Sequence, residues 1–173
     1  DRVLEAVSLL RNRIPFHLYM GGGSADEYQS DEEKENNERV KEYIRKYKLQ
    51  NYCTFLGYVE HDKVLPGYYR KADVFILPSR FEPFGLTTLE AMACGTVPLV
   101  SSVAGSKEVI IDGLNGYIVD THNRKKLAEA IFKVLSDPKL KKKVSDNAAF
   151  TMREHYSWDS IVEKFIKLYS SFT

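Results

Sequence analysis

The sequence is short of most features that would narrow a function at once. Only two cysteines occur among 173 residues. Cys53 falls in a predicted strand and Cys94 in a predicted helix, so both read as small buried hydrophobes rather than a disulfide or metal pair. That usage fits a reducing, cytoplasmic setting. No apolar run approaches the roughly 20 residues a membrane span requires, and no signal-peptide pattern is present. Charge of one sign is lacking too. With 25 basic and 24 acidic residues the formal balance is +1, which gives no general reason to expect nucleic acid or a membrane surface as partner. Nor does a G-x-G-x-x-G open any helix with an acidic residue at the dinucleotide spacing. A generic Rossmann-type dinucleotide enzyme is disfavoured on that ground.

What is present is an ordinary globular composition, 43% hydrophobic and 28% charged, in a chain long enough for one domain and its core over residues 1–173. Short apolar, β-branched runs alternate with helical patterns. A helix is expected from Asp1 to Arg13 on the apolar face of Val3, Leu4, Val7 and Leu10. A strand over Phe16–Met20 follows, and then Gly21-Gly22-Gly23, which allows close approach of backbone or ligand but also suits a plain flexible turn. Ser24–Asn37 reads as a polar loop leading into a helix from about Lys34 to Tyr47. Next come a strand over Asn51–Gly57 with its exit loop Tyr58-Val59, a helix over Gly67–Ala72 with Pro66 at its start, and a strand over Val74–Leu77. Tyr68 and Tyr69 read as packing residues.

Beyond that strand a helix from about Gly85 should end at Gly95. A strand over Val97–Ser101, a short helix over Lys107–Ile111, a turn at Asp112–Gly116 and a strand over Tyr117–Val119 complete the alternation. A run of helices closes the chain: Asn123–Leu135, Pro138–Glu154, and Trp158 to about Phe172, the last capped by Ser157. Alternation at these spacings predicts a Rossmann-like parallel sheet with helices on both faces. Ligands of such sheets sit beyond the C-terminal strand edges, where Gly21–Gly23, Tyr58-Val59, Ser79–Gly85 and Ala104–Ser106 should all lie.

The bend after Val74–Leu77 carries the most chemistry. A strand running through a glycine-containing turn into a helix leaves N–H groups unpaired at the positive end of the helix dipole, an arrangement that favours anions. Glu82 lies in that bend. Glu90 lies on the otherwise apolar Leu86–Cys94 helix, where a carboxylate is costly to bury unless something hydrogen-bonds it. Ribose hydroxyls would do so; two ordinary surface glutamates are the plain alternative.

The segment Glu82-Pro83-Phe84-Gly85-Leu86-Thr87-Thr88-Leu89-Glu90, followed by Ala91-Met92-Ala93-Cys94-Gly95-Thr96-Val97-Pro98, resembles the donor-binding segment of retaining GT-B glycosyltransferases. It is similar in particular to the family that includes sucrose synthases, sucrose-phosphate synthases and bacterial mannosyl- and glucosyltransferases. The Gly21–Gly23 triplet, F-L-G-Y-V, A-D-V-F-I-L-P-S and D-G-x-N-G occur in the same order, so the resemblance covers essentially the whole chain. Leu86–Gly95 and the helix after Pro66 lean toward the sucrose-phosphate and mannosylfructose-phosphate synthase branch.

The resemblance implies the C-terminal half of a GT-B fold and a transferase moving a hexose from a UDP-, GDP- or ADP-sugar, with no cofactor and no metal. It implies that Glu82 approaches the transferred sugar and that backbone N–H groups of Phe84, Gly85, Leu86 and Thr87 face the sugar and diphosphate. Glu90 would hold the ribose, Tyr58 and Val59 the base, and Gly22 and Gly23 would lie near the nucleotide. An acceptor sugar, lipid or sugar phosphate would be held by an N-terminal domain absent from the sequence. Peripheral membrane association through that domain, at the cytoplasmic face, stays open. Two departures stand out. The Arg and Lys that face the diphosphate in the family lie on a segment absent before the first helix. The family's G-G-x-x-E loop also reads Ala104-Gly105-Ser106-Lys107-Glu108, one glycine replaced. The fragment alone is therefore expected to transfer no sugar. A non-catalytic nucleotide or nucleotide-sugar binding module is the alternative.

Overall fold

A computed structural model describes residues 2–24, 29–79 and 81–172. Asp1, the part of the Ser24–Asn37 stretch over 25–28, Arg80 within the bend, and Thr173 lie outside the described residues. The elements in order are α1 (Arg2–Ser8), β1 (Leu18–Gly21), α2 (Asp31–Lys46), β2 (Cys53–Gly57), α3 (Leu65–Lys71), β3 (Val74–Leu77) and α4 (Leu86–Ala93). They continue with β4 (Val97–Ser101), a short 3-10 turn (Gly105–Glu108), β5 (Tyr117–Val119), α5 (Arg124–Ser136), α6 (Pro138–His155) and α7 (Trp158–Ser170).

All strand pairings are parallel, as the alternation predicts, but they form two ladders rather than one. β1 pairs with β2, and β3, β4 and β5 pair in that order. No ladder joins β1 to β3 among the described residues. The two sheets nevertheless share a core, since Leu18 and Met20 of β1 and Val74 and Ile76 of β3 pack against one cluster.

Strand side chains alternate between two cores, as the pleat requires. Val97 and Leu99 of β4 join Tyr117 and Val119 of β5 in a cluster built on α1, α2 and α5, including Leu4, Val7, Ile44 and Leu127. Val100 and Ile118 point the other way, onto Met92 of α4 and Ala148 and Met152 of α6. Helices thus cover both faces, and β4 is buried along its whole length. β3 is equally apolar but only partly buried, and among the described residues β4 is its sole ladder partner.

Several element boundaries differ from the sequence reading, among them those of β1, β2 and α3 by one or two residues, and two larger differences have a local reason. α2 begins at Asp31 rather than near Lys34, because Ser30 and Glu33 form a capping box: the Glu33 amide donates to Ser30 Oγ at 3.2 Å and the Ser30 amide to Glu33 Oε2 at 3.0 Å. The polar stretch expected to be a loop therefore supplies the helix start. The helix expected over Lys107–Ile111 is instead the single 3-10 turn, since the Val109 and Ile110 amides bond three residues back. α1 stops at Ser8 and continues only as turns through Arg13.

Other signals hold. Cys94 caps α4 and Gly95 takes the left-handed conformation at φ 79° beyond it. Asp137 and Pro138 open α6, and Ser157 caps α7. Both cysteines are free thiols, Cys53 buried and Cys94 partly so. Burial pushes the Cys53 thiol up to about 11, which keeps it protonated and inert. No helix of the described residues is long and apolar enough to cross a membrane.

Candidate functional site

Because every strand is parallel, the loops after β1, β2, β3 and β4 leave the sheets at the same edge. Two neighbouring groups form there. In the first, the Gly22 amide donates to the Gly57 carbonyl oxygen at 2.8 Å, tying the exit of β1 to that of β2. A Cβ at Gly21 would stand 3.0 Å from Val59 Cγ2, so Val59 packs on the glycine triplet while Tyr58 is exposed. The Ser24 amide and hydroxyl both donate to Glu33 Oε1, at 3.1 and 3.0 Å. The loop carrying Gly22 and Gly23 is thereby anchored to the first turn of α2. These bonds, led by the Ser30 amide, hold the Glu33 carboxyl below its ordinary range.

The second group is the bend ahead of α4. The Gly85 amide donates to Glu82 Oε1 at 3.0 Å, and Gly85 sits at φ 80° as the N-cap residue, a conformation that favours glycine. Space is equally restrictive: a Cβ at Gly85 would meet Leu77 Cδ2 and Ser106 Oγ, both at 3.1 Å. From the other side the β4 exit loop closes on the bend. Glu82 pairs with Ala104 in a parallel bridge, and the Gly105 amide donates to the Glu82 carbonyl oxygen at 2.8 Å. A Cβ at Gly105 would stand 1.9 Å from the Pro83 carbonyl oxygen. The close approach in this loop is therefore of backbone to backbone and is made by Gly105. Ala104, which takes the place of the family's other glycine, adopts an ordinary extended φ of −73° and is buried. Glu108 ends the 3-10 turn and is exposed.

This bracing leaves the outer face of the bend open. Phe84 is 43% and Leu86 64% exposed, Thr87 is exposed, and the amides of Phe84, Leu86 and Thr87 have no protein acceptor among the described residues. Free donors at a helix N-terminus attract anions. Behind the bend, the hydroxyls of Thr88 and Ser106 are buried with no partner among the described residues.

Glu90 joins the two groups. One turn further along α4 and 32% exposed at its side chain, it turns toward the loop after β2. His61 Nε2 lies 3.0 Å from Glu90 Oε1, and the Tyr69 hydroxyl of α3 donates to Oε2 at 3.4 Å. Tyr69 is buried, stands edge-on to Phe75, and its carbonyl accepts from Thr96 Oγ1 at 2.6 Å. Burial, followed by the Glu90 charge, raises the Tyr69 phenol well above its usual value, so it serves Glu90 as a donor. Tyr68 packs instead on Tyr19, ring centroids 5.5 Å apart.

Of the sequence-predicted residues, Gly22, Gly23, Tyr58 and Val59 gather at the β1–β2 edge, and Glu82, Phe84, Gly85, Leu86 and Thr87 at the β3–β4 edge. No hydrogen bond links the two sets directly among the described residues; Glu90 and His61 supply the connection. The sequence does not single out His61, and it offers Ser106 and Thr88 only as members of the Ala104–Ser106 loop and the Glu82–Glu90 motif. His61 had a signal in the imidazole two residues after Val59, but neither periodicity nor spacing ties it to Glu90. A separate open depression lined by Glu5, Asp120, His122, Asn123, Arg124 and Lys125 includes none of these residues.

Parallel strands with helices on both faces and loops gathered at the strand tips place the domain in the doubly wound α/β class. Residues 1–150 match the family described as Glycosyl transferases group 1, and the chain belongs to that family. It is 32% identical over 171 residues to mannosylfructose-phosphate synthase of Agrobacterium fabrum, covering 97% of this chain and 37% of that protein. Its fold matches sucrose-phosphate synthase from Thermosynechococcus elongatus with TM-score 0.80 and 30% identity, covering 99% of this chain and 42% of the other. Anabaena HepE, solved in complex with UDP-glucose, matches with TM-score 0.81 at 21% identity over 98% of this chain and 44% of its own. The chain spans well under half the length of these relatives and is alike in fold to part of GT-B glycosyltransferases.

Proposed function

We propose that this chain is the nucleotide-sugar donor-binding domain of a retaining glycosyltransferase that transfers a hexose from a UDP-, GDP- or ADP-sugar. The observation that carries the reading is the turn of Glu90 toward the loop after β2, at the strand edge where the Phe84, Leu86 and Thr87 amides stand free. In this reading those amides receive the diphosphate, Glu90 the ribose, Tyr58 and Val59 the base beside Gly22 and Gly23, and Glu82 approaches the transferred sugar. As the glycosidic bond breaks, charge develops on the leaving diphosphate, and donors fixed beforehand stabilise it without reorganising. No metal or cofactor is required if further cationic side chains face the diphosphate.

We also infer that the domain works within a longer polypeptide whose other half holds the acceptor, a sugar, sugar phosphate or lipid. Three features support this. Each relative above extends well beyond the matched region. Among the described residues β3, an apolar strand, has no ladder partner between it and β1. The stripe Val162, Phe165, Ile166 and Tyr169 on α7 stands exposed. Alone, the chain should bind nucleotide without turnover.

Calorimetric titration with UDP, GDP and ADP tests the reading. One of the three should bind, and Glu90→Ala should weaken it tenfold or more, because hydrogen bonds to a charged group contribute about 1.5–3 kcal/mol. No binding of any of the three, or equal affinity in the variant, rejects it.

A further inference from the structure

His61 makes contacts that constrain its protonation. Its Nδ1 lies 2.8 Å from Asp62 Oδ1 and its Nε2 lies 3.0 Å from Glu90 Oε1. Ionised carboxylates only accept hydrogen bonds, so both contacts are made together only when both ring nitrogens carry protons. The ring is therefore an imidazolium held between two carboxylates, consistent with its shift from 6.5 to about 9, caused first by Asp62 and then by Glu90. Its loop is fixed in turn: Glu60 accepts the Asp62 amide at 3.1 Å and the Lys63 amide at 2.7 Å. The groups around the ring are thus Glu60, Asp62 and Lys63 of its own loop, Glu90 of α4 and, through Glu90, Tyr69 of α3.

On Glu90 the protein's two donors go to different oxygens, His61 to Oε1 and Tyr69 to Oε2. A carboxylate offers about four acceptor positions, two on each oxygen. One position on each oxygen is filled, so each keeps one to spare. A vicinal diol presents a pair of hydroxyls, and two neighbouring acceptors of one rigid carboxylate match that pair.

We propose that His61 is a positioning residue for nucleoside recognition, clamping Glu90 Oε1 so that the carboxylate's spare acceptor positions meet the 2′- and 3′-hydroxyls of the bound nucleotide. The inference rests on the donor-domain reading. It adds that the loop taken to hold the base also orients the group that holds the ribose, so the two halves of the nucleoside are recognised by one connected unit. His61 acts through Glu90 and touches no reacting atom.

With UDP standing for whichever of UDP, GDP and ADP the wild type binds, the experiment compares it with its 2′,3′-dideoxy analogue on the wild-type protein, His61→Ala, Glu90→Ala, and the double variant His61→Ala with Glu90→Ala. The wild type should favour UDP, and that preference should fall as the pH is raised through about 9. In His61→Ala, affinity for UDP should drop about tenfold, the scale of one charge-assisted hydrogen bond. Affinity for the dideoxy analogue should stay unchanged, and the pH dependence should flatten. The double variant should lose no more than Glu90→Ala alone. A wild type that binds UDP, with a His61→Ala variant that keeps the same preference and pH profile, overturns this inference alone. So does equal loss of UDP and the dideoxy analogue, the mark of general loosening. A wild type that binds UDP, GDP and ADP not at all overturns the donor-domain reading, and this inference falls with it.

Discussion

Glu82 bonds the bend twice: its carboxylate Oε1 receives the Gly85 amide at 3.0 Å, while its own carbonyl receives the Gly105 amide at 2.8 Å. One residue thereby fixes both the internal curve of the segment and its distance from the neighbouring β4 loop. The consequence is selective. Gly85's N–H is used inside the protein, while those of Phe84, Leu86 and Thr87 have no acceptor among the described residues. Rigidity behind a row of free donors is the property that electrostatic stabilisation of a leaving anion needs, since donors already in place do not reorganise during the reaction.

Gly105→Ala should collapse this arrangement. Its methyl would be placed 1.9 Å from the Pro83 carbonyl oxygen and 2.6 Å from the Pro83 carbonyl carbon, and backbone cannot swing aside as a side chain can. Overpacking of this kind costs about 1–3 kcal/mol. Thermal denaturation should show a lower Tm, and nucleotide titration a larger loss than stability alone explains. An alanine variant with wild-type Tm and affinity would show that the two loops are not braced against each other.

Glu82→Ala separates a structural from a sugar-contacting role. Losing the bond to Gly85 alone would loosen the bend and weaken a nucleoside diphosphate and its sugar conjugate alike. If Glu82 reaches the sugar, the conjugate should suffer more, by about fivefold to tenfold for one lost hydrogen bond. Titrating UDP and UDP-glucose against both proteins gives the ratio. A ratio unchanged by the substitution would assign Glu82 to the bend only.

Much of this was legible in the residues. The apolar β-branched runs Val74–Leu77 and Val97–Ser101 gave strands, Gly95 gave the end of α4, and the parallel order placed the loops at one edge. Elements were less legible where a side chain overrides composition. Ser30 and Glu33 start α2 inside a charge-rich stretch because two reciprocal bonds outweigh its loop-like polarity. The short helix expected over Lys107–Ile111 is a single 3-10 turn whose Val109 and Ile110 amides bond three residues back, and β-branched Val109, Ile110 and Ile111 give a longer helix little support. The His61–Glu90 contact was not legible, because it spans 29 residues and depends on how the β2 loop is folded by Glu60.

Asn115 supplies a control at the opposite edge. Wholly buried before β5, its side chain accepts from the Ile111 amide at 2.7 Å and donates to the Val109 carbonyl and to Thr151 Oγ1, each at 3.1 Å. Asn115→Ala takes that partner from the Ile111 amide and the Val109 carbonyl, while Thr151 keeps its bond to the Asn147 carbonyl, a loss of about 1–3 kcal/mol for each group left unsatisfied. Denaturant unfolding should register it, while nucleotide affinity of the folded protein should hold. A joint fall in both would mean that the turn over Asp112–Gly116 is coupled to the binding edge.

Alkaline pH should weaken the folded state through His61. Its pKa is raised from 6.5 to about 9 by Asp62 and Glu90, so the folded state binds the proton more tightly than the unfolded chain. The linkage sign follows. The stabilisation is fully present below about pH 6.5 and is lost as the pH rises through about 9. Since the ring is largely exposed, the amplitude should be small and should shrink further with added salt. The useful quantity is the difference between wild type and His61→Gln, which cancels every group the two proteins share. That difference in Tm should be positive at pH 6, narrow between pH 7 and 9, and vanish above it. A difference that stays constant across the range would mean that His61 contributes packing rather than charge.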